Sequence, residues 1–372
     1  MVFIHGGSFW TGQNQEITIA PDGMVLEAVQ NGLPVIHVAM NYRLGFFGFA
    51  QSDALKSEGS ENAGLRDQRL AIEWVRDNIA QFGGDPQRIT IFGQSSGGLA
   101  VGLHILAYGG DKRVPFQQAI CESQALEPGI TGTFTIDAMK ALVDNVGCNT
   151  SQLHSVETVS CLRGTNMDAL LNASLATYKN DIAHNVGDIW LPAVDGDFLP
   201  DAPSKLLHEG RFSNVTAMMG WCEDDLTFFT DAGIKTADDT HKMISSYAAG
   251  LTAANVEKLL SLYPTSEFQA QATDGLSAEF FRSARIFRDI LMTCEPIWYT
   301  ERLAAMGNKA YLYDWNQTIL EPILVVTSNH SGYGPIHTSE FAYIFGNLSH
   351  YDIDTYPFQP TPSDYRLKVS IL

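Results

Sequence analysis

A helix, a strand and a second helix follow one another between residues 65 and 108, and this order constrains the fold more than any other part of the sequence. Ile72, Val75, Ile79 and Phe82 recur at steps of three and four residues, which predicts an amphipathic helix that ends at the sequence "GGDP". "RITIFG" then predicts a buried strand, and "SGGLAVGLHILAY" predicts a helix that starts where the strand ends. This order is typical of a doubly wound sheet with mostly parallel strands.

Other apolar runs extend this α/β pattern along the chain. The predicted strands cover residues 1–7, 33–40, 116–123, 215–221 and 309–315, with a short helix near "MVLEAV". Two long stretches, 133–187 and 232–308, are mainly helical and irregular, and we expect them to form a cap over the sheet edge. With 372 residues the chain is long enough for a large core, so we expect a single domain over 1–372.

Ser95 follows the predicted strand within Gly93-Gln94-Ser95-Ser96-Gly97, which fits the G-x-S-x-G pattern of a nucleophile elbow. Such an elbow is a strained turn that lifts one hydroxyl above the end of the sheet, where ligands bind in this class of fold. In a chain of this composition the pentapeptide occurs by chance roughly 0.2 times. An ordinary glycine-rich turn is therefore the alternative, and the context must decide.

A nucleophilic serine needs a histidine base, and the imidazole needs an acid that fixes its tautomer. In α/β-hydrolases these residues follow in the order Ser, Asp or Glu, His, which restricts the search to histidines after Ser95. Four lie well downstream: His241, His330, His337 and His350. His337 lies in "GYGPIHTSEFAYIFG", a Gly- and Pro-rich loop that runs into an apolar segment. His337 is therefore the candidate base. The alternative is that His337 is a solvent-exposed or purely structural histidine.

The candidate acids come from "GWCEDDLTFF" at 220–229, which follows a predicted strand and offers Glu223, Asp224 and Asp225. An acidic turn without chemistry is the alternative in so acidic a chain. Backbone N–H groups for an oxyanion hole are available in "IHGGSFW", a glycine-containing loop directly after the first predicted strand. This loop too could be an ordinary turn.

Composition excludes several classes of function. The net charge is -19 and no Lys/Arg cluster appears, so a nucleic acid backbone would be repelled. No stretch of eighteen or more apolar residues predicts a membrane span, and "MVFIHGGSFW" lacks the features of a signal peptide. No C-x-x-C pair indicates zinc or redox chemistry, so we expect neither a metal nor another cofactor.

The cysteines and the candidate N-glycosylation sites indicate the cellular compartment of the protein. Five cysteines are too few for a disulfide scaffold, although one bridge between Cys148 and Cys161 is plausible. Candidate N-glycosylation sites exceed the number expected by chance and begin at Asn149, Asn172, Asn214, Asn316, Asn329 and Asn347. These features favour a secreted, extracellular glycoprotein over a cytosolic protein with unused sequons.

Taken together, these segments resemble the type-B carboxylesterase/lipase family, which includes cholinesterases, animal carboxylesterases and fungal lipases. The similar motifs occur in the family's order: "HGGSFWTG", "NYRLGFFGF", "NAGLRDQRLAIEWVRDNIAQFGGDPQRITIFGQSSGG", "VDGDFLPDAP" and "GPIHTSEFAYIFG". The match is dense over 1–125, moderate over 188–230 and local around 334–346. The resemblance implies an α/β-hydrolase fold, with a mostly parallel doubly wound sheet flanked by helices and helical cap insertions.

The resemblance also implies roles for single residues. Ser95 matches the nucleophile and His337 the base. Asp225 matches the acid best, although most family members have a glutamate followed by glycine there, and Asp224 stays a second candidate. The matching oxyanion donors are the N–H groups of Gly7, Ser8 and Ser96.

Other matched positions imply structural roles or depart from the family. Ser8 replaces a third glycine, and Gln94 replaces a glutamate before the nucleophile. Cys148 and Cys161 match a small disulfide loop of the family, which supports an oxidising compartment. The remaining matched charges are expected to form buried structural ion pairs: Arg43, Asp67 and Asp85.

The function that the resemblance implies is hydrolysis of carboxylic esters through an acyl-enzyme, by a carboxylesterase or lipase acting on a small-molecule or lipid ester. A non-catalytic binding or adhesion protein on the same fold is the alternative. The sequence begins inside the "HGG" strand at Met1 and ends in "SDYRLKVSIL", unlike the family. We therefore also expect a fragment or incomplete gene product, which could be inactive. The sequence leaves the oligomeric state and the ester open.

Overall fold

The structure, a computed structural model, describes residues 1–124, 130–185, 189–248, 250–271, 275–328, 331–348 and 360–371. Within these residues the strands are β1 (Val2–Ile4), β2 (Val38–Met40), β3 (Thr90–Gln94), β4 (Gln118–Glu122), β5 (Thr216–Cys222) and β6 (Ala310–Trp315).

The helices of the described residues follow in chain order. They are α1 (Asp22–Gln30), α2 (Gly45–Phe49), α3 (Asp53–Ser57), α4 (Ala63–Asn78), α5 (Ser96–Leu106), α6 (Phe134–Asn145), α7 (Val156–Gly164), α8 (Met167–Asn185), α9 (Pro203–Glu209), α10 (Ala237–Tyr247), α11 (Ala253–Ser261), α12 (Ala278–Arg288), α13 (Cys294–Ala305), α14 (Glu321–Ser328), α15 (Phe341–Ile344) and α16 (Pro362–Ile371).

The strands form a six-stranded sheet in the order β2-β1-β3-β4-β5-β6. β1 runs parallel to both neighbours, with Val2 opposite Val38 and Ile91, and β3 runs parallel to β4 with Thr90 opposite Gln118. Crossover helices connect parallel strands and cover the faces of such a sheet. The predicted α/β class with a mostly parallel sheet is confirmed.

Two strands are shorter than the sequence predicts. β1 covers Val2–Ile4 instead of 1–7, because the glycine loop begins directly after it. β2 covers Val38–Met40 instead of 33–40. Pro34 has no N–H for a sheet ladder, so the start of that apolar run cannot pair as a regular strand.

The residues cluster into two compact units. Unit 1 comprises Met1–Asn14, Val38–Met218 and Trp298–Tyr311, and unit 2 comprises Gln15–His37, Met219–Ile297 and Leu312–Leu372. The helical content expected for 133–187 appears as α6 to α8, and that for 232–308 as α10 to α13. A single domain, and a cap over the sheet edge, stay predictions.

The core of unit 1 lies where α5 packs on the parallel strands. Every residue of α5 is buried, as are Ile91 and Phe92 of β3. Gly98 permits the close approach of the helix, since a Cβ there would lie 2.7 Å from the carbonyl oxygen of Glu122. A helix that is apolar on all sides belongs in a protein interior, so α5 is held rigidly against the sheet.

The amphipathic helix predicted from its periodicity is α4, and its apolar face is largely as expected. Ile72, Val75 and Ile79 are buried, but Phe82 is 64% exposed. The α-helix ends at Asn78 and a 3₁₀ turn continues to Phe82, which rotates that side chain off the buried face. Gly83 then ends the turn in the left-handed conformation, with φ 84°.

The ion pairs predicted to be buried lie at the surface instead. Arg43 and Asp67 form a bidentate pair at 2.7 Å, with side chains 56% and 28% exposed. Arg88 and Asp85 lie 2.8 Å apart and are more exposed still. Long cationic side chains leave their charged heads in water where they can, and exposed pairs of this kind contribute about 0–1 kcal/mol.

Candidate active site

Ser95 occupies a strained turn between β3 and α5. Its backbone has φ 61° and ψ −131°, a conformation that costs a non-glycine residue on the order of 1–3 kcal/mol. Its N–H donates to the carbonyl of Glu122 at 2.9 Å, and its own carbonyl accepts from Leu99 N–H at 2.9 Å. Both sides of the turn are therefore fixed, which is what a strand-to-helix elbow requires.

Glycines around Ser95 are required by close backbone contacts. A Cβ at Gly93 would lie 2.6 Å from the carbonyl oxygen of Ile4, and one at Gly97 would overlap the same oxygen. The pattern G-x-S-x-G thus has a steric reason in this chain. The alternative of an ordinary glycine-rich turn does not account for two glycines packed on one strand.

The glycine loop after β1 lies directly beside the elbow. A Cβ at Gly6 would be 2.9 Å from the Cβ of Ser95 and 2.6 Å from the carbonyl oxygen of Gln94. Gly7 has φ 107°, and its carbonyl accepts from the N–H groups of Trp10 and Thr11 at 2.9 Å each. The loop therefore turns sharply next to the candidate nucleophile.

Three amide groups in this part of unit 1 are available to an anion. Among the described residues the N–H groups of Gly7 and Ser8 donate to no acceptor. The amide of Ser96 belongs to the first turn of α5, where no carbonyl lies one turn earlier and the helix dipole favours negative charge. The family resemblance implies the same three amides as oxyanion donors, and that role stays a prediction.

His337 and Asp225 form a buried pair in unit 2. The imidazole Nδ1 lies 2.5 Å from Asp225 Oδ1. Both side chains are buried from solvent, and Asp225 is completely buried. Asp225 Oδ2 accepts a hydrogen bond from the amide of Cys222 at 2.8 Å. The carboxylate is thus held by the end of β5 and can fix the tautomer of the imidazole.

Asp224, the second candidate acid, lies beside Gly334. Any Cβ at Gly334 would overlap the Asp224 carboxylate. Burial, followed by the charge of Glu223, raises the pKa of Asp224 to about 6. The geometry therefore favours Asp225 as the partner of His337.

Burial and two carboxylates influence the basicity of His337. Burial lowers its pKa, but the charge of Asp225, the hydrogen bond that the ring donates to that carboxylate and the charge of Glu340 together raise it above its ordinary value. The ring also makes an edge contact with Phe229, at 5.5 Å between centroids. An opposed carboxylate in a dry site stabilises the imidazolium that a general base forms.

Glu340 and Cys222 belong to this cluster and were not predicted. Glu340 is fully buried, and its Oε2 accepts a hydrogen bond from the Cys222 thiol at 2.9 Å. Burial, and then the charge of Asp225, raise the pKa of Glu340 to about 7. Its position three residues after His337 in "IHTSE" is the one sequence signal that could have indicated it.

The loop that carries His337 is tied to the turn that carries the acid. Asp224 N–H donates to the carbonyl of Pro335 at 3.1 Å, and Thr227 Oγ1 donates to the carbonyl of Tyr333 at 2.8 Å. Tyr333 and Ile336 also pack in a buried cluster with Phe280 of α12. The part of the loop that precedes the histidine is therefore held by hydrogen bonds and by apolar packing.

Comparison with known proteins places this chain in a family. The family model described as "Carboxylesterase family" matches residues 1–368, which is nearly the whole chain.

The chain belongs to the carboxylesterase family.

Among its relatives, a secreted lipase of Arthroderma benhamiae is 55% identical, over 99% of this chain and 64% of that protein. An inactive carboxylesterase-like protein of Byssochlamys spectabilis is 34% identical, over 94% of this chain and 61% of that protein. The solved structure of EstA from Aspergillus niger matches 93% of this chain and 63% of its own with a TM-score of 0.75 at 25% identity. The predicted α/β-hydrolase fold is confirmed, and the chain spans under two thirds of the length of these relatives.

The other candidate histidines of this carboxylesterase-family chain do not resemble His337 in setting. His241 lies on α10, where its Nε2 is 3.8 Å from an exposed glutamate, Glu257. His330 and His350 lie outside the described residues.

The predicted disulfide is present, joining Cys148 and Cys161 across 13 positions of sequence. Four of the candidate glycosylation sites are exposed: Asn149, Asn172, Asn214 and Asn316. Asn329 lies outside the described residues. Asn347 does not fit the prediction, because it is 3% exposed and its side chain bonds to the carbonyl of Ala20 and the amide of Gly23.

Neither a membrane-spanning helix nor a metal-ligand cluster occurs among the described residues. In the part of the chain that the structure describes, no helix has the length and apolar character needed to span a membrane. The same residues contain no group of three or more His, Cys, Asp or Glu side chains arranged as metal ligands.

Proposed function

We propose that this protein hydrolyses carboxylic esters through a covalent acyl-enzyme, with Ser95 as nucleophile, His337 as general base and Asp225 as the acid that orients it. The observation that carries the proposal is the buried hydrogen bond between His337 Nδ1 and Asp225 Oδ1. A binding protein has no need of a desolvated imidazole and carboxylate pair, whereas general base catalysis by a histidine depends on one.

Acylation begins when neutral His337 accepts the hydroxyl proton of Ser95 through Nε2. The Ser95 oxygen then adds to the ester carbonyl, and Asp225 stabilises the imidazolium that results. The imidazolium next donates its proton to the alkoxide leaving group. The alcohol departs and the acyl group stays on Ser95.

The tetrahedral oxyanion of each step would be bound by the amides of Gly7, Ser8 and Ser96. These donors need no reorganisation, since the loop and the first turn of α5 already have their conformations fixed. Preorganised donors of this kind contribute about 10²–10³ in turnover each. Water then deacylates Ser95 by the same route in reverse, again with His337 as the base.

The substrate class follows from chemistry and from the relatives. A relative with 55% identity is named a secreted lipase, which supports an ester of a fatty acid or a smaller acyl group as substrate. The same name, the Cys148–Cys161 disulfide and the exposed sequons support an extracellular location. Lipase and small-ester esterase differ in whether an oil–water interface activates the enzyme.

A non-catalytic binding role is the second candidate, because one relative is named an inactive carboxylesterase-like protein. Membership of the family therefore does not by itself imply turnover. The two functions differ in one observable, since only the enzyme forms an acylated serine.

The test is hydrolysis of p-nitrophenyl butyrate by the purified chain, followed from pH 5 to pH 8, with Ser95→Ala and His337→Ala alongside. We expect a burst of nitrophenol equal to the enzyme concentration, a rate that falls at low pH as His337 is protonated, and no burst in either variant. A folded protein without hydrolysis would support the binding role. A rate that is flat across this pH range would contradict the assignment of His337.

A further inference from the structure

The loop that carries the oxyanion donors is strained and needs anchors. Gly7, Ser8 and Phe9 have φ 107°, 54° and 55°, so three consecutive residues lie in the left-handed region. For the two that are not glycine, this conformation costs about 1–2 kcal/mol each. Such a loop keeps its shape only where its surroundings determine it.

Phe9 is the anchor at the far end of this loop. Its N–H donates to the Ser96 hydroxyl at 3.2 Å, and its carbonyl accepts from Gly45 N–H at 2.7 Å. Its ring is fully buried against Phe49, at 4.7 Å between centroids. The hydroxyl of Ser96 thus contacts the loop one residue after the Ser8 amide.

His5 is the anchor at the near end. Its carbonyl accepts a hydrogen bond from the Tyr42 hydroxyl at 2.8 Å, and the two rings stack at 4.5 Å. Burial raises the pKa of Tyr42, so its hydroxyl stays protonated and can donate to this carbonyl at neutral pH.

Two buried hydrogen bonds therefore hold the two ends of this loop. Phe9 N–H donates to Ser96 Oγ at 3.2 Å, and Tyr42 Oη–H donates to the carbonyl of His5 at 2.8 Å. These contacts lie on the two sides of Gly6, Gly7 and Ser8. The first of them is made by the residue that follows the candidate nucleophile.

We propose that Ser96 is a positioning residue, whose hydroxyl fixes the glycine loop at Phe9 while the Tyr42 hydroxyl fixes it at His5. Together the two contacts hold the Gly7 and Ser8 amides in register with Ser95. This inference rests on the proposed function. It is distinct from the role of the Ser96 backbone amide, which any residue at this position would supply. The hydroxyl acts through the loop and touches neither substrate nor the reacting atoms.

Ser96→Ala removes the hydroxyl and keeps the amide. With p-nitrophenyl butyrate we expect kcat to fall about 5- to 10-fold with KM within twofold, the effect of one hydrogen bond that matters in the transition state. The inhibition constant of a trifluoromethyl ketone, which forms a tetrahedral adduct, should weaken by the same factor. Tyr42→Phe should act in the same direction, and the double variant should lose less than the product of the two single effects.

Ser52→Ala is the matched control. Ser52 is also a buried serine of unit 1, and its hydroxyl accepts from the Leu55 amide at the same 3.2 Å, at the start of α3. We expect this variant to lose stability without a change in kcat. A fall in kcat shared by both variants would show that Ser96 is merely structural.

Amide hydrogen exchange over residues 5–12 tests the two loop contacts without any catalysis. We expect exchange in this segment to accelerate about tenfold or more in Ser96→Ala and in Tyr42→Phe, and to stay unchanged in Ser52→Ala. If the wild type hydrolyses no ester but this pattern holds, the proposed function fails and the anchoring survives. Unchanged exchange together with unchanged kcat in Ser96→Ala would overturn the inference. If Ser96→Ala does not fold, the same two measurements on Tyr42→Phe decide, and unchanged exchange with unchanged kcat there would overturn it.

Discussion

His337 Nδ1 lies 2.5 Å from Asp225 Oδ1, and the second oxygen of the same carboxylate accepts from the amide of Cys222 at 2.8 Å. Both oxygens of Asp225 are thus engaged, one with the ring and one with the backbone. The shorter side chain of aspartate reaches the imidazole because the turn after β5 is held against the histidine loop. The position therefore accommodates a carboxylate one methylene shorter than the glutamate that the family resemblance implies.

Replacing Asp225 by asparagine tests whether this contact orients the base. The amide keeps the shape but favours the wrong tautomer of His337, so we expect kcat to fall by about 10³–10⁴ with little change in KM. Asp224→Asn is the matched control, one residue away, and should change kcat less than tenfold. Equal losses in the two variants would contradict the assignment of Asp225.

The pH profile tests the electrostatic role of Glu340. In the proposed mechanism neutral His337 is the base. Its pKa is raised above 6.5, so activity should be lost as pH falls through that raised value. Glu340 faces Asp225, Cys222 and His337 and is negatively charged above its own pKa of about 7. Glu340→Gln removes that charge, so the acid limb of kcat/KM should move to lower pH. Glu267→Gln is the control, because Glu267 lies at the surface, and it should leave the acid limb of kcat/KM at the pH of the wild type. A shift to higher pH in Glu340→Gln would contradict the account.

A methyl group at Gly6 tests the closeness of the glycine loop to the nucleophile. In Gly6→Ala the new Cβ would meet the Gln94 carbonyl at 2.6 Å and the Ser95 Cβ at 2.9 Å, so the loop must move. Displaced amides no longer reach the oxyanion, and we expect kcat to fall at least about 10²-fold. Gly164→Ala, where no atom lies within 4 Å of the new Cβ, should be as active as the wild type.

The disulfide should stabilise the protein without affecting chemistry. Closing a loop of 13 residues between Cys148 and Cys161 restricts the unfolded chain by about 3 kcal/mol. The double variant Cys148→Ser/Cys161→Ser should therefore unfold at lower denaturant concentration, with kcat unchanged at 25 °C. Cys294→Ser, at an exposed unbridged cysteine, is the control. Equal stability of both variants would show that the bridge adds nothing.

Local patterns predicted much of the fold. The periodicity of α4, the strand before Ser95 and the helix after it follow from residues that are neighbours in sequence. The strand near 33–40 was overextended because apolar character alone does not show where a partner strand ends. Phe82 was misplaced because a helix that tightens into a 3₁₀ turn changes its period.

For the candidate site, the motifs predicted single residues and tertiary contacts supplied the rest. Ser95 and His337 were predicted from patterns and chain order and Asp225 from the family resemblance, while Cys222 and Glu340 meet across 118 positions of sequence. Tyr42 and the carbonyl of His5 likewise belong to separate segments. Asn347 shows the opposite error, because a sequon carries no information about burial.

The most direct test of the central claim is reaction of the purified chain with a fluorophosphonate probe, with the adduct located by peptide mass spectrometry. Ser95→Ala and His337→Ala serve as comparison variants. The account predicts one adduct on Ser95, absent in Ser95→Ala and formed at least about 10³-fold more slowly in His337→Ala. Folded wild-type protein that stays unlabelled, or labels at another serine, would contradict it.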